Sequence, residues 1–194
     1  MAPLDAAQIT LDRIRDRLES RVPRVRPCPA GFREAAVLIL LREDPDGVEV
    51  LLCQRSEDRR DAHSGQVSLP GGQRDPGDAD ALATALRESW EEVGLEPDRI
   101  RLLGRLDDTL TITNFHVVPW VASIDSFDGL RPMTDEIVEV FPFPIDRLRD
   151  EALVRRVPWE RDGETLEVLF VEWNGHVLWG VTARMLDRLV EVVS

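Results

Sequence analysis

The sequence predicts a mixed α/β domain with a sheet held between helices. Three features carry that prediction. Apolar runs of strand length alternate with segments whose apolar residues recur at helical spacing. Turn-forming residues separate neighbouring runs at hairpin distance. No repeat, low-complexity tract or linker divides the 194 residues, a length that suits one domain.

The elements follow in order. Residues 4–20 read as a helix, with Leu11, Ile14 and Leu18 spaced among charges. Pro23, Pro27 and Pro29 then impose a stiff, extended connection. Residues 1–30 are thus expected as an entry segment ahead of a 31–194 domain, packing on the core or on a partner subunit of a homodimer. Residues 35–41 are a continuous apolar run, the pattern of a strand buried on both faces. Asp44-Pro45-Asp46-Gly47 is turn chemistry and leads into a second strand over 48–54. Residues 55–77 read as a long loop with one short strand at 67–69, and loops of that length are often functional.

A helix over 80–93 follows, capped by Asp78 or Asp80 and ended by Gly94. Strands are expected at 102–106, 116–122 and 137–141, with residues 146–155 partly helical. Asn174-Gly175 is the best hairpin signal in the chain and joins strands over 166–173 and 176–178. Residues 182–193 close the chain as a helix. The five tryptophans default to the core, with Trp120, Trp173 and Trp179 in or beside strands.

Composition limits the function. The formal charge is −13, and no basic patch of the kind that supplies nucleic-acid affinity is present. The acid excess serves solubility, and part of it is available as a metal site. Two cysteines are too few for a disulfide framework, and Cys53 sits in an apolar run as a small hydrophobe. No signal pattern and no run of membrane length occurs, so a soluble cytoplasmic protein is expected.

The chemistry concentrates in the segment from Leu86 to Leu95. On a helix, positions i, i+3 and i+4 are neighbours, so Glu88, Glu91 and Glu92 project from one face. Leu82, Leu86, Trp90 and Val93 are expected on the opposite face, packed inward. Three like charges weaken an isolated helix. They read either as a solvated acidic face or as a site for a hard divalent cation such as Mg²⁺, which takes one or two carboxylates plus substrate phosphates. Upstream, Leu69-Pro70-Gly71-Gly72 opens a tight loop that allows close backbone approach. Arg87 either contacts phosphate or orients a neighbouring glutamate, and the second reading is preferred because metal ligands need outer support.

This stretch resembles the Nudix box, G-x5-E-x7-R-E-U-x-E-E-x-G-U with U aliphatic. Gly72, Asp78, Arg87, Glu88, Glu91, Glu92, Gly94 and Leu95 fill most of its fixed places. Asp78 stands where the general box has Glu, one extra residue precedes Arg87, and Ser89 replaces an aliphatic residue. Those departures are similar to the coenzyme A pyrophosphatase subgroup, with its Gly-Gly-basic-x-Asp-Pro-x-Asp and Thr-Ala-Leu-Arg-Glu runs. Here these read Gly71-Gly72-Gln73-Arg74-Asp75-Pro76-Gly77-Asp78 and Thr84-Ala85-Leu86-Arg87-Glu88. Leu51-Leu52-Cys53-Gln54-Arg55-Ser56, His63-Ser64-Gly65-Gln66-Val67 and Leu178-Trp179-Gly180-Val181-Thr182-Ala183 extend the likeness over most of the chain.

The resemblance implies an α/β/α sandwich with a mixed β-sheet, and hydrolysis at the diphosphate of a nucleotide derivative such as coenzyme A. It implies Mg²⁺, or Mn²⁺ in its place, held by Glu88, Glu91 and Glu92 with Gly72. A proton acceptor is needed too, from the box or from Glu136 and Glu139 on a later segment. Arg55, Arg60, His63 and Arg74 are candidates for substrate phosphate, with Gly71 and Gly72 giving close backbone approach. Taken singly, each cation is an ordinary surface charge; their place in the subgroup signature selects Arg55 and His63. His116 and His176 are read as structural. Three alternatives stand beside this: hydrolysis of ADP-ribose, NADH or nucleotides, a Nudix domain that only binds nucleotides, and an acidic scaffold with no ligand.

Overall fold

A computed structural model describes residues 8–57, 65–161 and 164–194. Helix α1 (Leu11–Glu19) is followed by strands β1 (Arg33–Asp44), β2 (Gly47–Arg55), β3 (Val67–Ser68) and β4 (Gly71–Gln73). Helix α2 (Ala81–Val93) leads to β5 (Arg101–Arg105), β6 (Thr109–Leu110), β7 (Phe115–Ser123) and β8 (Ile137–Pro144). After a 3-10 turn at Ile145–Arg149 come β9 (Val154–Arg161), β10 (Glu164–Trp173), β11 (His176–Trp179) and α3 (Gly180–Val193). Most expected strands and helices are present.

Strand β1 is the centre of a mixed sheet. One edge runs parallel to β7 from Arg33↔Phe115 to Leu41↔Ser123. The other edge is shared. Its end pairs with β2 over Leu41–Asp44, and its beginning pairs with β4 at Ala35↔Gln73, Ala36↔Gly72 and Val37↔Gly71. Strand β2 therefore parts from β1 and picks up β3 through Cys53↔Ser68 and Gln54↔Val67. The 67–73 segment wedges into the opening. Strand β8 completes the far side by pairing with β2.

The continuous apolar run of β1 is explained by burial on both faces. Ala35, Ile39 and Leu41 enter one core with Ile14, Leu18, Leu186 and Leu189, on the side of α1 and α3. Ala36, Leu38 and Leu40 enter the other with Ala85 and Val93 of α2. Helices thus cover both faces of the sheet. The entry helix packs on the same core, since Ile9, Ile14 and Leu18 are buried in it. The strands β9, β10 and β11 form a separate antiparallel sheet whose Leu169, Val171 and Leu178 back onto that core.

Several expectations need correction. Among the described residues of the 55–77 stretch there is a second short strand, because Gly71-Gly72-Gln73 pairs with β1. Residues 154–161 are a strand, and helical structure stops at Arg149. Of the helix expected over 4–20, residues 4–7 lie outside the described residues; the helix described begins at Leu11, where Thr10 caps it by accepting from Arg13 N. Among the five tryptophans none is buried: Trp90, Trp159 and Trp179 are exposed, and Trp120 and Trp173 are half-buried. Among the described residues, no helix is long and apolar enough to cross a membrane.

Candidate functional site

Helix α2 is cut to length by its own residues. Asp80 caps it by accepting from Ala83 N, and Gly94 ends it in the left-handed region at φ 72°. Its inward face differs from the expected one. Thr84, Ala85, Ser89, Glu92 and Val93 are buried, Leu82 and Leu86 are half-buried, and Trp90 is 57% exposed. The helix packs over β1 and β4, and a Cβ on Gly72 would fall 2.5 Å from the Glu88 carboxyl carbon. Thr84, Ala85 and Ser89 fill much of the inward face, the Trp90 indole is turned out and the Glu92 carboxylate is turned in. Gly71 is constrained as well: at φ 148°, a Cβ there would strike the Ala36–Val37 backbone.

The three helix glutamates sit differently. Glu92 is 7% exposed; its Oε2 accepts from Gly71 N at 3.0 Å, and its Oε1 lies 3.5 Å from Arg55 Nη1. Burial pushes its carboxyl up to about 7. The Gly71 bond and Arg55 oppose that rise, while Glu88 and Glu136 add to it. Glu88 is likewise raised, by burial first, with Arg87 opposing. Glu91 is more exposed.

Arg87 ties this group to the loop. Its Nε and Nη2 grip both oxygens of Asp78 at 2.9 and 3.0 Å, and its Nη1 reaches Glu88 at 2.9 Å and Glu91 at 3.1 Å. Nη2 also donates to Gln73 O at 3.1 Å. Asp78 accepts further bonds from Asp75 N and Thr84 Oγ1, both at 2.9 Å. This set of donors, Arg87 first, holds the Asp78 carboxyl well below the usual range. The orienting partner of Arg87 is thus Asp78 as much as any glutamate. The sequence marks Asp78 only as a box position and a possible helix cap; its part in holding Arg87 comes from the fold.

The other candidates divide. Arg55, at the end of β2, bonds Glu136 at 2.9 Å as well as facing Glu92. Arg74 is spent on the loop itself, pairing with Glu34 at 2.8 Å and donating to the Asp78 and Ala79 carbonyls. Glu139 is not brought to the helix. Strand alternation puts it on the side of Phe141 and Phe143, where its Oε2 lies 3.5 Å from His176 Nε2. His176 also stacks on Phe141 and meets Gln54 Oε1 at 3.2 Å. His116 is buried against Asp108 at 3.1 Å. Arg60 and His63 lie outside the described residues.

These groups suit a hard cation. They are oxygen donors, one of them buried beyond what its neighbours compensate, beside a backbone that only glycine permits. Among the described residues, no group of three or more His, Cys, Asp or Glu side chains is arranged to hold a metal ion by itself.

The NUDIX domain family matches residues 32–167. An uncharacterized Nudix hydrolase NudL from Pectobacterium atrosepticum is 35% identical over 174 residues, covering 89% of this chain and 88% of the relative. One from Salmonella heidelberg is 33% identical over 187 residues, covering 96% of each. Among solved structures, a Nudix hydrolase from Nitrosomonas europaea matches with a TM-score of 0.52 at 18% identity, over 84% of this chain and 73% of the other. RenU, a Nudix hydrolase from M. smegmatis, matches at 0.51 and 23%, over 61% and 74%. The two structures speak to the fold alone.

Proposed function

The chain belongs to the Nudix family, and from that premise we propose that it is a pyrophosphohydrolase of a nucleoside diphosphate derivative, with coenzyme A or a derivative as substrate. The observation that carries the chemistry is the buried Glu92 carboxylate beside Glu88, held over the Gly71–Gly72 backbone. The substrate assignment is supported by the subgroup signature, whose runs 51–56 and 69–72 belong to the strands and loop that frame α2. The products would be 4′-phosphopantetheine and adenosine 3′,5′-bisphosphate.

Glu88, Glu92 and Glu91, with the Gly72 backbone, would hold Mg²⁺ or Mn²⁺. Such an ion neutralises the diphosphate and lowers the pKa of a bound water. The protein's own part is placement. Arg87 and Asp78 lock the helix to the glycine loop, so that Glu88 stays above Gly72. Glu92 is held by the Gly71 N–H. Glu136 is the better placed of the two outlying proton acceptors, since Arg55 links it to Glu92 while Glu139 faces His176.

The test is a substrate panel of coenzyme A, ADP-ribose, NADH, a dinucleoside polyphosphate and nucleoside triphosphates, with Mg²⁺ or Mn²⁺ and products identified by mass. Release of adenosine 3′,5′-bisphosphate from coenzyme A, lost in Glu92→Gln, is the expected result. Cleavage of another panel member alone would replace the substrate and keep the chemistry. No turnover of any member would point to a nucleotide-binding role.

A further inference from the structure

Among the described residues, Arg87 meets Asp78, Glu88 and Glu91, and Arg55 meets Glu92 and Glu136. They are not equivalent. Arg87 bonds Asp78, Glu88, Glu91 and the Gln73 carbonyl at 2.9–3.1 Å, and two of these bonds form a fork on the Asp78 carboxylate. Arg55 makes a short bond to exposed Glu136, at 2.9 Å, and a long contact to buried Glu92, at 3.5 Å. Glu92 Oε2 is engaged by Gly71, so the oxygen that Arg55 faces is the one left for another cation.

We propose that Arg55 is a placeholder cation. It offsets the buried charge of Glu92 while no metal is bound, and it yields the Glu92 oxygen when a divalent ion arrives. This rests on reading the helix glutamates as metal ligands. The physical argument is competition. The Arg55 guanidinium already faces the Glu92 oxygen that an incoming ion would take, 3.5 Å away. A divalent ion beside Glu92 repels a guanidinium close by, and the long contact is the one that breaks. Glu136 keeps Arg55 paired after release, so the displaced charge is not stranded. Arg55 is thereby a positioning residue that acts through Glu92 and sets how tightly the site takes its metal. This differs from the phosphate-binding role that the resemblance assigns to it.

The experiment is Mn²⁺ binding to the full chain without substrate, read by the electron paramagnetic resonance of free Mn²⁺ at pH 8. Wild type is compared with Arg55→Gln, Arg55→Met, Arg55→Lys and Glu92→Gln. Removing the competing charge should tighten Mn²⁺ binding about tenfold in the Gln and Met variants, while the Lys variant stays near wild type. Two neutral variants of different shape guard against a local folding defect. Unchanged or weaker Mn²⁺ affinity in both neutral variants, with Glu92→Gln abolishing binding, would overturn the placeholder role and leave the metal site standing. Wild-type Mn²⁺ affinity in Glu92→Gln would overturn both.

Discussion

Arg87 and Arg55 each sit among carboxylates on one face of the sheet, yet they solve different problems. Arg87 is forked onto Asp78, which also accepts from Thr84 and Asp75, and together these bonds staple the glycine loop to α2. Arg55 spans a buried and an exposed glutamate with one short and one long contact. The contrast teaches that charge pairing alone does not define a role. A forked pair whose carboxylate accepts from several donors fixes geometry, whereas a long contact to one oxygen of a buried carboxylate leaves that oxygen for a ligand to take over.

The largest test of that contrast is catalytic. Glu92→Gln should lower kcat by more than the roughly 100-fold that loss of an outer partner costs, with KM less affected. Glu136→Gln should fall roughly 100-fold if Glu136 accepts the proton, against a few-fold at most for Glu139→Gln on the other face. Equal losses at Glu136 and Glu139 would break the assignment of the two faces. On the stapled side, Asp78→Ala should cost about 2–3 kcal/mol, because it strips a forked arginine of its partner. Thermal unfolding would show this as a Tm lower by roughly 5–10 °C.

A pH experiment sharpens the comparison further. Glu92 is raised from its ordinary 4.5 to about 7, so its contribution to stability is complete below 4.5 and is lost as pH rises through 7. Metal-free protein should therefore lose on the order of 3 kcal/mol across that window, measured by denaturant unfolding. Glu92→Gln should flatten the loss, and Mn²⁺ should reverse it in wild type. Asp78 works the other way. Its lowered carboxyl stabilises above its ordinary 3.8 and stops doing so as pH falls further, so the two effects separate at opposite ends of the profile. The smallest effect is expected at Trp90, where Ala should cost about 0.5 kcal/mol or less. A loss of about 3 kcal/mol, usual for a buried aromatic, would show that the indole is covered in solution.

The chain's local signals were legible wherever chemistry acts over a few residues. Asp80 and Gly94 bound α2 because a side-chain acceptor and a left-handed glycine act within one turn. Asn174 and Gly175 both take positive φ, as their hairpin requires. The apolar run of β1 announced burial on both faces. The helical spacing of Glu88, Glu91 and Glu92 was equally plain. What periodicity could not say is which stripe of α2 turns inward. Leu82, Leu86 and Trp90 have the larger apolar surface, yet Thr84, Ala85, Ser89, Glu92 and Val93 are the residues buried. Nor could it separate Glu136 from Glu139, since that depends on how β8 registers against β2.

The sequence by itself therefore determined most of the elements, the ends of α2 and the identity of the carboxylate helix, because those follow from turns, caps and spacing. Tertiary structure alone decided which carboxylate is buried, which carboxylates each arginine meets and which face of the sheet each later glutamate joins. Those outcomes depend on distances between segments as remote as Arg55, Glu92 and Glu136, and no local pattern encodes them.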